Sequence, residues 1–336
     1  MKTLWTIPVL VMGVASATQA ATTIYGSANA NTYVYNDDGG TSLGIDGSLS
    51  HFGFRGDSAI SPSLTAIFDA RFYSDFVEAL QADDSNQFAQ GYPQVLRGHV
   101  GLEGDFGTVR IFGGPTPMTK TQSYLNLMDE DPINFGLILG DGILATPADL
   151  PTGAKFKGYN TGINFTSNDL GNGLSFDGAV LPAQENDPNG ETGISLAATM
   201  AQQAFSVSGA FEVNGSNSNS QLFRLVGEYY LNDIIVGGLL QFAGNADADL
   251  NGTSFLGFAE LPLDITPWQS RLRLTGGYAA QEDDAETIEE SQVMLAAMHE
   301  IRFSNTVSAY NFAEMFLPEE SAGNTSRFGT GLKIGF

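Results

Sequence analysis

The chain reads as an all-β protein, a transmembrane antiparallel β-barrel of about sixteen strands whose third extracellular loop folds back into the lumen. Three observations point there. About sixteen segments of roughly ten residues alternate apolar and polar side chains with the period of a strand. Short turns rich in Gly, Pro, Asn and Asp take turns with longer, acidic connections. There is no cysteine, and after residue 20 no apolar run approaches the roughly 18 residues that a membrane helix needs, so strands are left to do the crossing.

The first 20 residues, MKTLWTIPVLVMGVASATQA, place Lys2 before an apolar core from Leu4 to Val14 and end on small residues. This is the pattern of a secretory signal peptide cut after Ala20, with Ala17 and Ala21 as neighbouring choices. Residues 21–336 then form one barrel domain, without linker or low-complexity tract. The formal charge of −24 becomes one unit more negative when Lys2 leaves with the leader. Such an acidic chain repels nucleic-acid phosphates and attracts divalent cations or basic partners around its exposed loops.

The first strand, TIYGSANANTYVYN, sets Ile24, Gly26, Ala28, Ala30 and Val34 on one face and Tyr25, Ser27, Asn29, Asn31 and Tyr33 on the other. The remaining alternating segments lie near 47–58, 63–76, 94–104, 107–114, 155–167, 173–183, 191–202, 204–214, 220–231, 233–244, 254–263, 270–282, 291–303, 306–317 and 326–336. With the first at 22–36 the count is even, which puts both chain ends on one side. The turns ISPS, GDFG, NDLGNG, LND and SNT face the periplasm in this reading. The long connections NDDGGTSLGIDG, VEALQADDSNQFAQGYPQ, QENDPNGE, NADADLNGT, DDAETIEE and PEESAGN face outward. Alternation alone also fits a soluble sandwich, whose charged face would be its outside. In a wide barrel the relation is inverted, with water inside and lipid outside.

Residues 113–154, GGPTPMTKTQSYLNLMDEDPINFGLILGDGILATPADLPTGA, are the one long stretch that does not alternate. A connection of about 40 residues is far beyond the usual length and is expected to be functional. On the wall, lumen parity places Arg55, Arg71, Arg97 and Arg110 inward on four consecutive strands, with Asp57, Asp69 and Glu103 on the same face. Guanidinium groups stay charged, so a field across the hole follows. Asp129, Glu130, Asp131 and Asp141 are the carboxylates that the long segment can bring against them. The same arginines on a soluble sheet would be ordinary solvated charges.

Other polar groups carry less. The pairs Asp37–Asp38, Asp83–Asp84, Asp283–Asp284, Glu289–Glu290 and Glu319–Glu320 fall in outer loops and lack the dry, shaped site that acid–base chemistry requires. They suit loosely bound divalent cations bridging to lipopolysaccharide phosphates. DADLNG from Asp247 opens like a calcium loop, but its twelfth position is Phe258 where a bidentate glutamate is needed. Of the three histidines, His299 has outward parity near the periplasmic rim, while Trp268 and Tyr278 read as girdle aromatics.

The opening ATTIYGSANA, the segments FGFRGD and GHVGLEGDFGTVRIFGGPTP, and the ending GTGLKIGF together resemble the general diffusion porins of Gram-negative bacteria. The resemblance covers the whole chain after the leader. It implies a sixteen-stranded outer-membrane barrel, a trimer passing small hydrophilic solutes and ions down their gradients, with no enzymatic activity and no cofactor. It also implies that Phe336 is part of a C-terminal assembly signal. Where that family often carries Pro-Glu-Phe-Gly-Gly-Asp in its third loop, this chain reads DPINFGLILGD. Only Pro132, Phe135, Gly136, Gly140 and Asp141 match, with insertions. Two competing functions remain at this point. A sugar-preferring channel would show a ladder of aromatics, of which the insertion holds only Tyr124 and Phe135. A secreted β-sandwich adhesin would be soluble without detergent. For ions, the acidic loops favour cations and the arginine wall anions, and total charge tips the balance to cations.

Overall fold

The computed structural model describes residues 21–47, 50–73, 94–121, 159–183, 191–213, 220–245, 250–263, 267–283, 289–318 and 323–336. The strands, in chain order, are β1 (Ala21–Asp37), β2 (Gly40–Asp46), β3 (His51–Ser61), β4 (Leu64–Tyr73), β5 (Gln94–Gly104) and β6 (Gly107–Pro115). A single helical turn follows, α1 (Pro117–Lys120). The remaining strands are β7 (Tyr159–Thr166), β8 (Leu174–Leu181), β9 (Gly193–Ala201), β10 (Phe205–Val213), β11 (Ser220–Leu231), β12 (Ile234–Asn245), β13 (Leu250–Leu263), β14 (Gln269–Asp283), β15 (Glu289–Arg302), β16 (Val307–Pro318) and β17 (Thr325–Gly335).

Each strand pairs antiparallel with its neighbours, and β1 returns to pair with β17, which closes the sheet. The described residues form a sixteen-stranded barrel, because β2 and β3 are two halves of one strand. Both lie along β1: Asn31 opposite Asp46, and Ser27 opposite His51. The register between the two halves is offset by one residue, since Asp46 and His51 are five positions apart while their partners Asn31 and Ser27 are four apart. Ser50 fills the break, its hydroxyl accepting from the Asn29 amide at 2.9 Å and donating to the Asn29 carbonyl at 3.0 Å. The closing seam is equally well satisfied, with two 3.0 Å bonds exchanged between Gly26 and Phe336.

Three sequence-based boundaries are corrected. Residues 36–47 are not a long outer loop: Asp37 pairs with Gly40, and a two-residue hairpin leads straight into β2. Gly40 supplies the φ of +126° that this turn needs. The segment NADADLNGT is strand from Leu250 onward, four residues earlier than the alternation indicated. Gly113 and Gly114 belong to β6, so the non-alternating insertion departs from the wall only at Thr116. The short reversals stand where the turn residues put them. Gly107 (φ +113°), Asn172 (φ 58°) and Asn232 (φ 54°) carry the positive dihedrals. At Gly107 an added Cβ would collide with the Thr166 carbonyl. We expect Gly107→Val to lose on the order of 1–3 kcal/mol from backbone strain alone, read as a lower urea midpoint in refolding.

Parity settles which face meets lipid. Large apolar side chains project outward along the sheet, among them Ile24, Val100, Ile111, Ile163, Phe176, Phe255 and Phe328. Every lysine and arginine on the described strands lies on the opposite, inward parity, from Arg55 on β3 to Lys333 on β17. Trp268 and Phe303, in edge contact at 5.1 Å, mark the periplasmic girdle. Ile111, 65% exposed at the centre of β6, gives a direct test. In a soluble sheet Ile111→Arg would be tolerated, whereas on a lipid face it is expected to cost about 2–4 kcal/mol of insertion free energy, measured by folding into lipid vesicles.

Candidate pore constriction

The four arginines come together as a staircase on the inner wall. Arg71 and Arg97 are direct cross-strand partners on β4 and β5. Arg55 stands opposite Asp69, two residues nearer the periplasm than Arg71. Arg110 stands opposite Gly101, four residues nearer the periplasm than Arg97. The alternation of β3 to β6 aims all four into the barrel, because Phe54, Val100, Val109 and Ile111 occupy the outward positions between them.

Their neighbours hold them against the wall. Arg71 is buried, and its Nη2 donates to His51 Nδ1 at 2.8 Å. A guanidinium has no acceptor, so that histidine nitrogen must be the unprotonated one. The Arg55 guanidinium lies over the Tyr25 ring, 5.4 Å from its centroid, and Tyr25 donates its hydroxyl to Asp69 at 2.7 Å. Tyr25 in turn lies across Gly53, where an added Cβ would meet the ring at 2.5 Å. Tyr33 on Gly44 and Tyr310 on Gly331 repeat that arrangement. His99 sits among Arg110, Asp69, Lys120 and Arg97.

The chain leaves β6 inward. Thr116 caps α1, accepting at its side chain from the Thr119 amide, and its hydroxyl donates to Glu212 of β10 at 2.5 Å. The Met118 amide donates to Ser195 of β9 at 3.0 Å, and the Met118 carbonyl accepts from Arg224 of β11 at 3.1 Å. Arg224 is itself held by Gln241 of β12. Lys120 reaches Asp177 of β8 at 2.8 Å and Asn164 of β7 at 3.4 Å. Small inward residues Ala197 and Ala210 leave room for the Met118 side chain, which is 2% exposed. One helical turn is thus fastened to five adjacent strands, β7 to β11, on the inner wall. The residues predicted farther along the insertion, Asp129, Glu130, Asp131, Phe135 and Asp141, lie outside the described residues.

Sequence reasoning missed the wall across from the staircase. Val226, Leu239, Leu256, Phe258, Met294, Phe312 and Phe316 all have inward parity on β11 to β16 and form one buried cluster. Ion pairs rim it. Glu260 pairs with Arg271 and, at 2.8 Å, with Arg273, whose guanidinium lies 5.9 Å from the Phe258 centroid. Arg327 pairs with Glu314 at 2.6 Å between the rings of Tyr33 (5.3 Å) and Phe312 (5.0 Å). The signal was present in YNFAEMF, where both parities of β16 are apolar and alternation stops distinguishing inside from outside.

A closed barrel with its cations inside and its apolar residues outside has one further property in common with a known group: residues 6–315 match the sequence model of the Gram-negative porins. The chain belongs to that family. The porin is accordingly an outer-membrane channel that crosses the bilayer many times by strands, rather than an enzyme. Its fold is similar to the anion-selective porin of Comamonas acidovorans, at a TM-score of 0.75 and 17% identity over 95% of this chain and 100% of the other. It is similar to OmpF of Salmonella typhi, solved in complex with daunomycin, with a TM-score of 0.71 and 12% identity over 94% and 97% of the two chains. The in-vitro folded trimer form of OmpT, an outer-membrane protein of Vibrio cholerae, superposes with a TM-score of 0.68 at 13% identity over 94% and 99%. No curated protein sequence matches the chain.

Proposed function

We propose that this porin is a general diffusion channel, passing small hydrophilic solutes and ions passively through a water-filled bore and working as a homotrimer. The observations that carry the reading are the inward arginine staircase on β3 to β6 and a helical turn that the wall of β7 to β11 pins inside the barrel. Charged groups on both sides of an aqueous passage order its water, orient dipolar solutes and disfavour apolar ones. Selection then rests on width and charge rather than on a fitted pocket. In this reading the insertion to residue 154 continues inward from α1, and Asp129, Glu130, Asp131 and Asp141 supply the carboxylates against the staircase. The leader ends at Ala20, Phe336 acts in assembly, and the acidic outer pairs bridge through divalent cations to lipopolysaccharide.

Planar-bilayer recording tests it. Discrete conductance steps that scale with bulk salt, unblocked by sugars, are expected; a chain that is monodisperse in plain buffer and leaves liposomes sealed overturns it. One observation favours a sugar-preferring channel as the second reading, namely the inward tyrosines Tyr25, Tyr33 and Tyr35 along β1, which are partly exposed. Concentration-dependent current block by an oligosaccharide would decide for that alternative.

A further inference from the structure

The Arg71 guanidinium is tied to a group that changes charge near neutral pH. Its Nη2 donates to His51 Nδ1 at 2.8 Å, and both side chains are buried, Arg71 at 3% and His51 at 7% exposure. A guanidinium keeps its proton throughout, so in this pair only the histidine titrates. Once protonated, an imidazole donates from both nitrogens and accepts at neither. The bond and a charged His51 therefore exclude each other.

The surroundings decide where Arg71 goes when the bond is lost. Arg97 of β5 is its direct partner on one side and Gly53 of β3 on the other. The Tyr25 ring of β1 covers Gly53 and lies edge-on to the His51 ring, with centroids 6.4 Å apart. Asp69, two residues along β4, receives the Tyr25 hydroxyl at 2.7 Å and stands opposite Arg55 and His99. His51 itself pairs with Tyr73 of β4 and Ser27 of β1, while Asp46 ends β2 five positions before it. Lys333 of β17 stands opposite Asn29, two residues past Ser27. Arg55, Arg97 and Lys333 thus outnumber Asp46 and Asp69 around the pair. With His51 charged, Arg71 has a cation on β3 and another on β5. The bore is the direction that the strands leave open.

We propose that His51 is the positioning residue of the staircase: neutral, it holds Arg71 flat on the wall; protonated, it turns Arg71 toward the bore, so that acid raises the preference for anions. The proposal rests on the reading that the staircase lines the path of ions.

Single-channel reversal potentials in about 0.1 M salt, read at about pH 8 and about pH 5, test it, since this window charges histidines and leaves most carboxylates ionised. The anion-to-cation permeability ratio of the unaltered chain is expected to rise about two-fold on acidification. His51→Asn keeps an acceptor near the Nδ1 position but does not titrate, and should lose most of that rise. Arg71→Gln should lose most of it too, because the moving charge is gone; it carries the comparison alone if His51→Asn does not assemble. His99 and every carboxylate are common to all three chains, so the differences belong to the pair. A rise that survives in His51→Asn, or no rise in the unaltered chain, overturns the proposal. A rise that survives in Arg71→Gln belongs to the histidine's own charge and overturns the positioning role. If Arg71→Gln leaves the potential at about pH 8 unchanged as well, the reading of the staircase falls together with the proposal.

Discussion

Replacing Arg71 and Arg97 together by glutamine is expected to lower the anion-to-cation permeability ratio roughly two- to five-fold in about 0.1 M salt. The magnitude follows from Coulomb's law: a unit charge about 8 Å from an ion in water contributes roughly 0.5 kcal/mol, and two contribute about 1 kcal/mol before screening. That energy corresponds to about a five-fold change in local ion concentration, which partial screening reduces. Because the two side chains are direct cross-strand partners, their fields add at one level of the bore. At about 1 M salt the Debye length shrinks to roughly 3 Å and the effect should nearly vanish. Single-channel reversal potentials across a salt gradient measure it. An unchanged potential in dilute salt would show that the staircase does not line the path of ions. Arg110→Gln, four residues nearer the periplasm, is expected to act in the same direction.

The second large effect is expected from Glu212→Ala. Thr116 is fully buried, and its hydrogen bond to the Glu212 carboxylate belongs to the class that contributes about 1.5–3 kcal/mol. The Lys120–Asp177 pair is partly exposed, so screening leaves it less than about 1 kcal/mol. The buried bond therefore outweighs that ion pair in the clamp on α1. Breaking it should release the turn from the wall and give larger, noisier conductance steps, whereas Asp177→Asn should change them little. An oligomer of normal heat resistance in both variants separates this outcome from general misfolding. Steps of unchanged size and noise in Glu212→Ala would mean that the clamp does not control the width of the passage.

The strands were legible because two local signals agreed. Alternation fixed which residues share a face, and Gly, Asn and Asp marked the reversals at 104–107, 168–173 and 231–233. That parity was enough to align Arg55, Arg71, Arg97 and Arg110 inward. It was not enough to show that Arg71 and Arg97 stand directly opposite, since register depends on pairing between strands rather than on either strand alone. The hairpin at Asp37–Gly40 was hidden by its acidic setting, although Gly-Gly after two aspartates is also a two-residue turn. The break between β2 and β3 left no compositional mark, because at Ser50 a side chain replaces backbone bonds. On β16 the pattern itself failed, as residues on both faces are apolar. Hydrophobicity says that such side chains leave water; it does not say whether they leave it for lipid or for one another.

Tyr25, Tyr33 and Tyr310 each rest flat on a glycine of the adjoining strand. A tyrosine standing upright would project most of its length toward the channel axis, whereas one lying down adds little more than the thickness of an aromatic ring. The calibre of the aperture on this side is therefore governed by the floor beneath each ring. Substituting Gly44, Gly53 or Gly331 would throttle flow by tipping a phenol into midstream, without altering a single charge.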